Sequence, residues 1–198
     1  MKIGTFNNEK KVILNPGDHC VSDKQIIIQT LLGSCVSACL FDPVNHVIGM
    51  NHFLLSSPRA QEGSIYASNA GRYGVHAMEI VINEMQKLGA KRKYLKAKAF
   101  GGGNVLNVGN GSENYFSVGK VNCEFIVGFL ENEKIPLISS DLGGENGRVI
   151  RFLSTDFSVY VRKIKKLAEQ NELLKRDSSY LNKTIKSQKE KVTDIELW

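Results

Sequence analysis

No apolar run in this chain approaches the roughly 18–20 residues that a membrane span needs, so direct membrane insertion is not expected. The opening stretch, MKIGTFNNEK, lacks the apolar core of a secretory signal, which makes a cytoplasmic address the expectation. Cysteine is sparse. Cys20, Cys35, Cys39 and Cys123 are the only four in 198 residues, too few for a disulfide framework, and in a reducing compartment each is a free thiol. Cys35 and Cys39 lie four apart, which on a strand separates them by roughly 13 Å. They cannot share one metal ion there, and no CxxC pair accompanies them. The glycine-rich loops lack both the GxxxxGK phosphate-loop lysine and the GxGxxG spacing of dinucleotide sites. Neither a metal nor an organic cofactor is therefore expected, and no internal repeat is visible.

What is present is an ordinary soluble composition, with 42% apolar and 23% charged residues. The formal charge of +6 could point to nucleic acid, but much of it sits at the end of the chain. From Lys163 to Trp198 there are nine lysines and arginines against six acidic residues, and no glycine. The remainder has no basic block interleaved with aromatics, which argues against nucleic-acid binding. The expected organisation is one domain over residues 1–162 and a basic polar tail over 163–198. In the tail, Ile164, Leu167, Asn171 and Leu174 fall at helical spacing, so a solvated helix is expected first. Beyond Asp177 the composition favours disorder, up to an apolar end at Ile195-Glu196-Leu197-Trp198 that suits an anchor for a partner.

The core reads as α/β. Strands are expected at Gln25–Thr30, Cys35–Phe41 and Val47–Leu55, with turn chemistry at Asp42-Pro43-Val44-Asn45 between the last two. Gly71–Leu88 is the best helix, with Val75, Met78, Ile82 and Met85 on one stripe and Gly89 as its stop. A strand over Tyr94–Phe100, a glycine-rich loop and a helix over Lys120–Asn132 follow. Strands at Ile135–Ser139, Arg148–Leu153 and Phe157–Arg162 close the domain, the last two as an antiparallel pair.

Gly33-Ser34-Cys35 places a thiol after a small flexible turn and at the head of a strand, where backbone N–H groups near Gly33 and Ser34 can face a developing oxyanion. A thiol needs a base to become a nucleophile near neutral pH, and His52 is the candidate. An even-numbered hairpin turn puts Cys35, Ser37 and His52 on one face, with His52 opposite Ser37 and diagonal to Cys35. An odd-numbered turn puts the pair on opposite faces. On the residues alone, a small buried thiol and a satisfied core histidine remain the commoner arrangement.

Six segments occur in the order seen in one family. They are Thr30-Leu31-Leu32-Gly33-Ser34-Cys35-Val36, Asp42-Pro43, Gly49-Met50-Asn51-His52-Phe53-Leu54-Leu55, Arg72-Tyr73-Gly74, Lys98-Ala99-Phe100-Gly101-Gly102-Gly103, and Asp141-Leu142-Gly143-Gly144 with Gly147-Arg148. The chain thus resembles the CheD family of chemoreceptor glutamine deamidases. The resemblance implies a mixed, largely antiparallel set of β-sheet layers flanked by helices, with a helical or disordered C-terminal tail. It implies Cys35 as nucleophile, His52 as its histidine and Thr30 as the third member that orients the imidazole. It also implies methyl-accepting chemotaxis receptors as substrates, and a CheC-type phosphatase meeting the chain at Phe100, Gly101, Gly102 and Gly103. Two other classes stay open beside a deamidase: a non-catalytic adaptor for a receptor or phosphatase, and a receptor methylesterase using the same acyl-enzyme.

Overall fold

The computed structural model describes residues 1–6, 9–55, 68–105, 113–165 and 167–193. Among these residues, ten strands form two five-stranded sheets. The first runs β1 (Lys2–Phe6), β2 (Glu9–Leu14), β4 (Ile26–Leu32), β9 (Arg148–Leu153) and β10 (Val159–Lys163) in that spatial order. The second runs β3 (His19–Ser22), β6 (Val47–Asn51), β5 (Val36–Asp42), β7 (Lys96–Gly101) and β8 (Leu137–Leu142). Only β2–β4 and β7–β8 are parallel; every other neighbouring pair is antiparallel. The architecture is therefore the mixed, largely antiparallel α/β layering expected from the sequence.

Three layers follow from which face of each strand is apolar. One core, with Val12, Leu14, Ile28, Ile48, Met50 and Phe152, fills the space between the sheets. A second lies between the second sheet and two helices, α1 (Asn69–Lys87) and α2 (Glu113–Asn132). β5 belongs to both. Val36, Ala38 and Leu40 face the helices, while Cys35, just ahead of the strand, and Cys39 and Phe41 face the first sheet. A strand covered on both sides has no wet face, which is why CVSACLF reads as a continuous apolar run instead of alternating.

Local signals set the helix ends. Ser68 caps α1 by accepting the Gly71 N–H at 3.0 Å. Gly89, at φ +98°, ends it in the left-handed conformation that glycine adopts freely. Met78, Ile82 and Met85 of the expected stripe are fully buried, and Leu88 beside it is exposed. Three elements have no counterpart in the sequence reading: the N-terminal strands β1, β2 and β3. β2 carries its two buried residues, Val12 and Leu14, among lysines, and β3 is only half-buried along its length.

The C-terminal end is helical, one of the two states expected for it. A third helix, α3 (Leu167–Thr193), runs unbroken through the stretch where disorder was expected. Among its described side chains Leu173, Asp177, Leu181 and Thr184 are buried, a stripe offset from the one the spacing suggested. Leu173 and Ile164 pack together with Val105, so the packing continues across the boundary drawn after residue 162. The apolar end at 195–198 lies outside the described residues.

Candidate active site

The hairpin turn decides the geometry. β5 and β6 pair Asp42 with Val47, leaving four residues in the turn. The Asp42 carboxylate accepts the N–H groups of Val44 and Asn45, at 2.8 and 3.0 Å, which fixes the turn from within. The even count carries the register on to an isolated bridge between Val36 and Phe53, whose N–H and C=O groups exchange two bonds of 3.0 Å. That register sets Ser37 opposite His52 and puts Cys35 on the same face, diagonal to the histidine, at a backbone separation of roughly 7–8 Å. Both side chains enter the space between the sheets. Cys35 is 0% and His52 1% exposed.

Near the histidine the ladder is locally opened. The Ala38 N–H bonds the side-chain oxygen of Asn51 at 2.9 Å, and Ser37 Oγ donates to the Asn51 carbonyl at 2.5 Å. The backbone N–H of His52 turns away to Asp18 at 2.9 Å, so β6 hands its end over to the loop before β3.

From the opposite sheet, Thr30 of β4 meets the imidazole. Its Oγ1 lies 2.7 Å from His52 Nδ1 and 2.9 Å from the Leu14 carbonyl. A carbonyl only accepts, so the single hydroxyl proton goes to Leu14, and Oγ1 must accept from Nδ1–H. The tautomer follows: Nε2 carries the lone pair. Nε2 is buried and has no hydrogen-bond partner, the thiol of Cys35 included. Burial is the main reason that the His52 pKa falls from 6.5 to about 3, with the Arg176 charge adding to it. The imidazole is thus neutral and able to accept a proton at Nε2. Burial also pushes the Cys35 thiol well above its ordinary range, reinforced by the negative charge of Asp177. In this conformation the pair is thiol and imidazole, whereas a depressed thiol pKa is the simple expectation for a cysteine with a base.

Residues before and after the thiol are held from three sides. Asn122 of α2, fully buried, donates to the carbonyls of Ser34 and Val118 at 3.1 and 2.9 Å and accepts the Leu55 N–H at 2.8 Å. One side chain so ties the cysteine loop to the segment following the histidine. The end of β7 supplies a second clamp, with Gly102 N–H to the Cys35 carbonyl and Gly103 N–H to the Gly33 carbonyl, both 2.7 Å. Phe100, Gly101, Gly102 and Gly103 are all buried. Two of these four, Gly102 and Gly103, turn their backbone N–H groups in against the cysteine loop. The third side is α3: Asp177 Oδ2 accepts from the Ser34 N–H at 3.0 Å and from Ser34 Oγ at 3.1 Å.

Sequence reasoning named Thr30, Gly33, Ser34, Cys35 and His52, and the fold brings all five to one end of the inter-sheet core. It missed Asn122 and Asp177. Neither belongs to a motif. The signal for Asp177 was available as an acid flanked four residues each way by Leu173 and Leu181. Among the described residues no group of three or more His, Cys, Asp and Glu stands close enough to hold a metal ion, and no helix is long and apolar enough to cross a membrane.

Comparison with known proteins adds a family. A model described as CheD chemotactic sensory transduction matches residues 54–163. A Shewanella oneidensis protein, "Probable chemoreceptor glutamine deamidase CheD 2", is 53% identical over 156 residues, covering 78% of this chain and 77% of its own. A Geobacter sulfurreducens protein, "Probable chemoreceptor glutamine deamidase CheD 1", is 46% identical over 184 residues, covering 92% of this chain and 91% of its own.

Proposed function

The chain belongs to the CheD family of chemotactic sensory transduction proteins, and from that premise we propose that it converts glutamine side chains of methyl-accepting chemotaxis receptors to glutamate by a Cys35–His52 acyl transfer. The observation that supports this reading most is the Thr30–His52 bond, because it leaves a lone pair on Nε2 on the same face as the thiol.

The steps follow from those atoms. Cys35 gives its proton to Nε2, and the thiolate attacks the glutamine Cδ. The Ser34 N–H, beside the nucleophile, stabilises the oxyanion of the tetrahedral intermediate. His52, now an imidazolium, protonates the departing ammonia and leaves a glutamyl thioester. Water, deprotonated at Nε2, hydrolyses the thioester to glutamate and restores the thiol. Throughout, Thr30 holds Nδ1–H and keeps the lone pair on the reacting nitrogen; it positions the base and does not touch substrate. In this reading a CheC-type phosphatase is a second partner, and the protein works in the cytoplasm beside the receptor's cytoplasmic part.

The decisive experiment incubates purified receptor with the protein and follows both ammonia and methanol. Ammonia release, with the mass gain of amide-to-acid exchange at receptor glutamines, supports the deamidase. Methanol alone would make it a methylesterase, and neither product from a receptor it binds would leave an adaptor. Cys35→Ala should remove the activity, and His52→Ala should lower it by about 10²–10⁴-fold.

A further inference from the structure

We propose that α3 is an intramolecular mimic of the substrate, with Asp177 held where the glutamine carboxamide binds, so that the helix must leave before a receptor can enter. The inference rests on the deamidase reading for the identity of the substrate, and on geometry for everything else.

Asp177 is 0% exposed, yet it sits on a helix that is otherwise largely polar. Its Oδ2 takes both donors of Ser34, the residue directly before the nucleophile. One of them, the N–H, is the donor that the mechanism assigns to the oxygen of the scissile amide. A carboxylate has the shape and acceptor atoms of a carboxamide, but it offers no ammonia to expel. It can fill such a pocket without being turned over.

The seat is built for this helix. A Cβ at Gly33 would run into the Asp177 carboxylate, one at Gly147 into Leu173, and one at Gly17 would stand 2.8 Å from the Tyr180 hydroxyl. Three glycines on three separate segments thus make room for side chains of α3. Further contacts fasten it along its length. Arg176 donates to the Leu31 carbonyl at 2.6 Å, Tyr180 and Tyr73 bring their hydroxyls within 3.3 Å, and Leu181 enters the inter-sheet core. With α3 in place Cys35 is sealed, and the thiol is pushed up both by that burial and by the carboxylate. The docked helix also describes what replaces it: a helical segment with the reactive side chain flanked by apolar residues four positions before and after, as Asp177 is by Leu173 and Leu181.

Full-length Asp177→Ala and Arg176→Ala variants test the idea. Each is read by the rate at which iodoacetamide labels Cys35, mapped by peptide mass, and by receptor deamidation. Cys39, buried in the same core, reports general loosening of the fold. The expected result is at least about a tenfold rise in Cys35 labelling in both variants, equivalent to about 1.4 kcal/mol of lost docking free energy, with Cys39 inert and receptor deamidation faster. Unchanged Cys35 labelling in both variants overturns the inference, and so does a parallel rise at Cys39, since then the fold and not the helix has opened. If Cys35 is unmasked but no receptor amide is hydrolysed by any form, the deamidase reading fails while the masking stands. If wild type and variants deamidate receptor equally with equal labelling, the reverse holds.

Discussion

Gly101 and the nucleophile meet back to back: a Cβ on Gly101 would run into the carbonyl oxygen of Cys35. Gly101 also has φ +113°, a conformation that side chains rarely adopt. Gly101→Ala therefore combines strain with a collision against the backbone that carries the thiol. It should destabilise the protein by about 1–3 kcal/mol in urea denaturation and abolish deamidation. Gly89→Ala is the control, since Gly89 has similar φ but nothing within 4 Å of a new Cβ. It should cost about 1 kcal/mol and leave turnover unchanged. Equal losses of activity in the two variants would contradict the account.

Thr30→Val keeps the shape of the side chain and deletes its hydroxyl. Nδ1–H of His52 and the Leu14 carbonyl then lose a partner in a buried place, at a cost of about 1–3 kcal/mol. Free choice of tautomer should slow deamidation by about 10–10²-fold at unchanged substrate affinity. Thr30→Ser should restore most of the rate. A serine variant as slow as the valine one would show that the hydroxyl is not what matters.

Stability should fall on acidification because of His52. Its folded pKa is about 3, below the unfolded 6.5, so between those values the unfolded chain binds more protons than the folded one. The sign follows: stability is full above about pH 6.5 and declines as pH falls towards 3, by up to about 1.4 kcal/mol per pH unit. Urea midpoints from pH 7 to pH 4 should show the slope in the wild type and a flatter one in His52→Gln. Parallel curves would assign the acid sensitivity to other groups.

Among the described residues, Arg148 is the largest fully buried side chain. Its guanidinium pairs with the Asp141 carboxylate at 2.8 Å and bonds the carbonyls of Asp141, Gly143 and Asn146. Arg148→Met takes a buried, charged donor from those acceptors and should cost about 3–5 kcal/mol. Arg148→Lys should not recover it, because an ammonium cannot span the same fork of carbonyls. Urea midpoints of the two variants decide this.

How far the sequence could be read depended on the kind of signal. Apolar periodicity located α1 and β9 nearly to the residue, since each has faces whose burial repeats, and an unbroken apolar run located β5. The even turn at Pro43–His46 was one of two open possibilities until the Asp42 carboxylate was seen bonding it shut. Thr30, Cys35 and His52 were legible because motif residues carried them. Asn122 was not, as a lone buried amide leaves no pattern and acts through three backbone partners distant in sequence. A helix was expected at the start of α3 but its buried stripe was not, for a physical reason: the stripe is broken by a charge, and a charge in a stripe normally marks the wet face. Here the pocket under that charge supplies the donors that make its burial tolerable.

Order of synthesis gives the layout of the first sheet one more consequence. Thr30, Cys35 and His52 all lie within the first 52 residues, but β4 sits between β2 and the late strand β9, and Asp177, which bonds the residue before the thiol, comes only with α3. A nascent chain at the ribosome therefore carries its cysteine into solution before the strand that completes its sheet has been translated. Long loops must close before the pocket exists. Cys35 emerges well ahead of α3, so an oxidant or alkylating agent meets its sulfur most readily while the protein is still being made.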